Sequence, residues 1–195
     1  MLIDRPIQLV YSGSPFSLTD KSSVKDRLDL IISAMAELKR EDCNFYLHIL
    51  GIEVENFLVI YPNFKKDIAL LENSIKFYGR LEHSKAIEIL KSCDFSIFIR
   101  DSSILTKAGF PTKFVESISC GIPVLTNKNS NIEDYLQEGE NGFLVSIESS
   151  ESTKKSLHKA LSMSPKEVYE MKLNCKNSKI FDYHNYLEDF KVLLN

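Results

Sequence analysis

The 195-residue sequence predicts an α/β domain, a doubly wound parallel sheet of about six strands with a helical C-terminal tail. Three observations carry that expectation. Short apolar runs recur along the chain, longer stretches of helical periodicity separate them, and helix-start signals follow most of the runs. With 44% hydrophobic residues the chain can bury one sizeable core, and its length fits a single domain.

The apolar runs are Ile7 to Tyr11, Phe45 to Leu50, Ile75 to Tyr78, Phe95 to Ile99, Pro123 to Thr126 and Gly142 to Val145. Each reads as a buried parallel strand. Between the first two, Val24, Leu28, Ile31, Met35 and Leu38 fall on one helical face, and Ser23 followed by Asp26 reads as a capping-box-like start. Similar starts are Ser84 before AIEILKSC, Ser130 with Glu133 before DYLQEG, and Ser164-Pro165 with Glu167 before VYEMKL. Parallel neighbours need crossovers, and right-handed crossovers place helices on both faces, which makes the sheet Rossmann-like. After Val145 a serine-rich stretch, SIESSESTKKS, leads into two or three helical segments. Residues 1–147 are therefore expected to form the ligand-binding unit and 148–195 a helical extension of the same domain.

Charge is nearly balanced, 24 Lys+Arg against 27 Asp+Glu, which argues against nucleic acid as a partner. Cys43, Cys93, Cys120 and Cys175 have no C-x-x-C spacing and read as reduced core cysteines of a cytoplasmic protein. No basic leader precedes the first strand and no run reaches the roughly 18 apolar residues of a membrane span, so a soluble chain is expected. His48, His83, His158 and His184 have the spacing of neither a metal set nor a nucleophile–base pair, and no metal is expected.

In an open α/β sheet ligands bind beyond the carboxyl ends of the strands, so polar residues in those loops matter most. After the first strand, Gly13 and Ser14 permit close backbone approach, and Lys25 is placed at the start of the next helix, where amides and dipole favour a phosphate. The same residues also fit a long surface loop with a solvated lysine. Between Arg100 and Thr126, Pro111-Thr112-Lys113 opens a short helix closed by Gly121. Its first turn, with Lys113, could hold an anion, and Glu116 could accept hydrogen bonds from ribose hydroxyls; an ordinary strand–loop–helix unit with Glu116 in water fits the spacing as well.

The run GFPTKFVESISCGIPVLTN resembles the donor-binding signature of family 4 (group 1) glycosyltransferases, in which a loop, a short helix bearing a glutamate, a glycine and an apolar strand follow one another. YSGS with KDRLDLIISA, FYGRLEHSKAIEILKSCD and EDYLQEGENGFLV resemble further segments of that family in order, over about residues 7 to 147. The resemblance implies the C-terminal, nucleotide-sugar-binding domain of the GT-B fold. Lys25 would contact the donor diphosphate, the amides of Thr112 and Lys113 would cap it, and Glu116 would hold the ribose. Gly79, Arg80 and Leu81 would lie beside the base, and Arg100 would reach phosphate or sugar, although a strand-end arginine also fits a surface ion pair.

Two positions depart from the family pattern: Ala108 stands where a sugar-touching glutamate often precedes Glu116, and Ser14 where an arginine is usual. The implied activity is retaining transfer of a hexose-type residue from a nucleoside diphosphate sugar to a glycan acceptor in surface polysaccharide synthesis, with no further cofactor and catalytic residues left unassigned. The acceptor-binding N-terminal domain of such enzymes has no counterpart here, and through it the whole protein could sit peripherally at the inner face of the membrane. Tyr186, Phe190 and Leu193 or Leu194 are then either an uncovered apolar strip or core packing. Two rivals stand beside this reading. One is a noncatalytic nucleotide-sugar-binding or regulatory module; the other is a flavodoxin-like or epimerase-like domain, which predicts Lys25 and Glu116 far apart rather than flanking one cleft.

Overall fold

The computed structural model describes residues 5–17, 24–101 and 103–187. All six apolar runs form strands: β1 (Ile7–Ser12), β2 (Phe45–Leu50), β3 (Ile75–Phe77), β4 (Phe95–Phe98), β5 (Val124–Thr126) and β6 (Gly142–Leu144). They make one parallel sheet in the order β3-β2-β1-β4-β5-β6, with Leu9 opposite both Leu47 of β2 and Phe95 of β4. The order reverses between β1 and β4, so the loops leaving these two strands diverge to opposite faces and open a crevice.

Side-chain alternation along β1 shows the layering: Ile7, Leu9 and Tyr11 enter the larger core cluster, while Val10 enters a smaller one with Leu90 and Cys93. Helix α1 (Leu28–Arg40) buries Leu28, Ile31, Met35 and Leu38 as the periodicity predicts. Helices α2 (Val54–Ile60) and α3 (Lys65–Leu70) link β2 to β3, and α3 packs on α1. Helix α4 (His83–Ser92) supplies the smaller cluster; α5 (Ile104–Ala108) and α6 (Thr112–Ser119) connect β4 to β5. The tail forms α7 (Ser150–Leu161), packed on α1, and α8 (Pro165–Ser178), packed on α6. Leu157, Ala160, Val168, Met171 and Cys175 join the main core, so both tail helices share it with the sheet. Ser164 and Glu167 form the expected capping box of α8.

Three local expectations are corrected. Helix α1 starts at Leu28 and has no side-chain cap, because residues 25–27 pair with other backbone instead of winding: Lys25 N donates to Pro15 O (2.8 Å), Arg27 N to Ile99 O (2.7 Å), and Asp101 N to Lys25 O (3.2 Å). Lys25 is therefore not at a helix start. DYLQEG is not a helix: a single 3-10 turn, Ile132–Asp134, ends at its first residue, and Asn141 closes the loop that follows by accepting from Gln137 N (2.8 Å) and donating to Tyr135 O (2.9 Å). Helix α4 begins two residues early, after Glu82 rather than Ser84, without a side-chain cap. Helices α2, α3 and α5 fall in segments where periodicity gave no start signal. Ser23, Phe190, Leu193, Leu194 and the Tyr186 side chain lie outside the described residues, and with them the expected apolar strip.

Candidate functional site

The crevice at the strand-order reversal is a cleft of about 200 Å³ lined by Ser14, Lys25, Asp26, Arg100, Phe110, Pro111, Thr112 and Lys113. The first three come from the loop after β1, the others from the segment after β4. A bridge between Asp26 and Arg100 ties the two together. Five residues expected at the site, Ser14, Lys25, Arg100, Thr112 and Lys113, thus meet at one place. Three cationic side chains face one carboxylate, leaving the cleft a net charge of +2.

Helix α6 opens into this cleft after Pro111, without a side-chain cap. Phe114 N donates to Pro111 O at 3.0 Å, whereas among the described residues no acceptor faces the amides of Thr112 and Lys113. They are free to meet an anion, with the positive end of the helix dipole behind them. The Lys25 amide is occupied by Pro15 O, so only its side chain can serve. Arg100 is held on both sides: its backbone N donates to Asn127 Oδ1 (2.8 Å) and its Nη1 to Gly109 O (3.0 Å) at the end of α5. Among the described residues it pairs with no carboxylate.

Two residues not read from the sequence organise the cleft. The Tyr11 hydroxyl, fully buried, donates to Asp26 Oδ2 at 2.8 Å, and the same carboxylate oxygen receives the Lys113 ammonium in a close ion pair. Side-chain exposure is 22% for Lys113 and 5% for Asp26. The ammonium lies 4.7 Å from the Tyr11 ring centre and 5.8 Å from that of Phe98, a cation–π cage. Burial lowers the Lys113 pKa from its ordinary value, against the opposing pull of Asp26; burial first, and then the Asp26 charge, raise that of Tyr11 well above its own. No spacing signal marks the pair: Tyr11 looks like any strand core residue, and Asp26 like a helix cap.

The remaining expected residues lie on the same rim outside the cleft. Gly13 sits under the Lys113 side chain, where a Cβ would come within 2.7 Å of its Cε and Nζ. Gly51 N donates to Gly79 O at 2.7 Å, and a Cβ on Gly51 would meet Gly13 O, so the loops after β1, β2 and β3 are stacked backbone on backbone. Arg80 is exposed and Leu81 packs against the smaller core. Glu116 is one helical turn beyond Thr112 and Lys113 but does not line the cleft; its Oε1 lies 2.9 Å from His83 Nε2, just past the Gly79–Leu81 loop. Lys25 lines the cleft and Glu116 does not. Ala108, at the end of α5, is exposed. Among the described residues no helix is long and apolar enough to cross a membrane, and no three metal-ligating side chains cluster.

Solved structures share this fold. TarM from S. aureus, in complex with fondaparinux, alpha-GlcNAc-glycerol and UDP, superposes with a TM-score of 0.73 at 15% identity, over 97% of this chain and 36% of that one. HepE from Anabaena, with UDP and glucose, gives 0.69 at 20% identity over 95% and 47%. The pneumococcal O-GlcNAc transferase GtfA, with UDP and GlcNAc, gives 0.69 at 19% identity over 97% and 35%. The chain therefore spans about a third to a half of the length of these structures. No curated protein matches it significantly. The sequence pattern described as Glycosyl transferases group 1 matches residues 20–178, most of the chain and all of the cleft segment after β4, and the chain belongs to that family.

Proposed function

We propose that this chain holds the nucleoside diphosphate sugar for a retaining glycosyltransferase that moves a hexose-type residue to a glycan acceptor in surface polysaccharide synthesis. The observation that carries the reading is the cleft itself: Lys25, Arg100 and Lys113 beside two unpaired amides of α6, at the strand-order reversal. Charge builds on the leaving diphosphate as the glycosidic bond breaks, and preorganised cations and amides stabilise that charge more than they stabilise the intact donor. Uridine is the base we assign, because TarM, HepE and GtfA were each solved with UDP. The base would lie along Gly79, Arg80 and Leu81, and Glu116, braced by His83, would take the ribose hydroxyls. Residues 1–147 would form the donor domain with 148–195 as its helical extension. A second domain would carry the acceptor, leaving this chain inactive alone, on the cytoplasmic side or peripheral at the inner face of the membrane.

Calorimetric titration of the chain with UDP, GDP and their sugar conjugates tests the reading. UDP should bind most tightly, and Lys25→Ala and Glu116→Ala should each weaken it; equal and negligible binding of all the nucleotides would sink the assignment. The exposed Ala108, in place of a sugar-touching glutamate, favours a second reading as a noncatalytic donor-binding module. Donor binding without turnover, once the chain is joined to its acceptor domain, would select it.

A further inference from the structure

Asp26 is an anomaly in an anion site. Among the described residues it is the one carboxylate lining the cleft, and its charge opposes any diphosphate that enters. Its oxygen Oδ2 is taken by the Tyr11 hydroxyl and the Lys113 ammonium. The groups facing that ammonium are Tyr11 from β1, Asp26 and Lys25 from the segment before α1, and Arg100 from the end of β4. Two are cations and one is a neutral phenol, so among the described residues Asp26 is the one anion that offsets the cost of enclosing the lysine charge between two aromatic rings.

We propose that Asp26 is a positioning residue: fixed by the Tyr11 hydroxyl, its carboxylate keeps Lys113 in the ammonium form and aimed into the cleft, where the lysine meets the donor diphosphate. The proposal rests on the donor-binding reading above. Without the carboxylate, Lys113 has two alternatives: it loses its proton in place, or its stem swings the ammonium out to water. Either removes it from the phosphates. Asp26 therefore strengthens diphosphate binding through Lys113 although its own charge works against the ligand. That opposition of signs makes the role separable from simple scaffolding.

The test uses UDP and uridine with the full chain, titrated from pH 6.5 to 9.5. Wild type should prefer UDP over uridine across most of this range. Asp26→Asn, which keeps the side-chain shape and an acceptor for Tyr11, should lose about tenfold in UDP affinity at the alkaline end. The loss should reverse as the pH falls if Lys113 deprotonates in place and persist at every pH if its stem swings out, with uridine binding unchanged throughout. Tyr11→Phe should shift the profile in the same direction by less. In a Lys113→Met background the sign should reverse, Asp26→Asn now tightening UDP because only the repulsion is removed. Thermal melts establish that each variant folds, and 15N-detected titration of the Lys113 ammonium in wild type and Asp26→Asn reads its ionisation directly. A UDP profile for Asp26→Asn that overlays wild type, or an unmoved Lys113 titration, overturns the inference while leaving the donor reading intact. A wild-type chain that does not distinguish UDP from uridine overturns both.

Discussion

Replacing Gly13 by alanine would set a Cβ 2.7 Å from both Cε and Nζ of Lys113, at a backbone φ of 147° that side-chain-bearing residues rarely adopt. Two costs follow, and they read out differently. The backbone term is about 1–3 kcal/mol for a residue forced into that region. In a domain of this size each kcal/mol moves Tm by about 2–4 °C, so the melt should fall by roughly 2–12 °C. The steric term is relieved through the flexible end of Lys113, which must leave the Asp26 carboxylate. The variant should therefore also lose about tenfold in UDP affinity, the scale of one charge-assisted contact, with uridine binding retained. Differential scanning calorimetry and isothermal titration on the same sample measure both. An unchanged melt would refute the backbone argument; a lowered melt with full UDP affinity would refute the placement of Lys113 over Gly13.

Gly142 and Gly139 should differ sharply in their response to alanine substitution. A Cβ on Gly142 would collide with the backbone oxygen of Val124, which cannot yield without breaking the β5–β6 pairing, so loss of several kcal/mol or of soluble protein is expected in a denaturant melt, whereas Gly139 has open space and only the strain of φ 80°, about 1–2 kcal/mol. Thr126→Val should leave stability unchanged or raise it by up to about 1 kcal/mol, because the buried Thr126 hydroxyl has no partner among the described residues; a clear loss in the same melt would mean that the hydroxyl is bonded.

The sheet was legible because each buried parallel strand is a continuous apolar run, and six such runs separated by crossover lengths admit few topologies. The same locality explains the failures. A capping signal at Ser23 and Asp26 is a statement about neighbours in sequence, and it lost to partners far along the chain: Arg27 N pairs with Ile99 O, and Asp26 with Tyr11 and Lys113. Tyr11 and Asp26 escaped notice for that reason, since an ion pair spanning β1, the segment before α1 and α6 leaves no period in any one of them. Gly13 was legible as a point of close backbone approach, but not the stacking of Gly13, Gly51 and Gly79, which depends on how three adjacent strands end at one height.

The dimensions of the cleft bear on how the proposed donor would be divided among these groups. About 200 Å³ lies below the ~300–1,000 Å³ of pockets that enclose a whole drug-sized ligand, and half of its lining residues are charged. Such a space suits a diphosphate rather than a complete nucleotide sugar. The base and ribose would then lie on the rim, over the stacked glycines and against Glu116, where a side chain on Gly51 would collide with backbone. A donor held this way is gripped at its phosphates and open at its reactive carbon, so the charge that develops in the leaving group falls on the most tightly organised part of the site, with Lys113 at its centre.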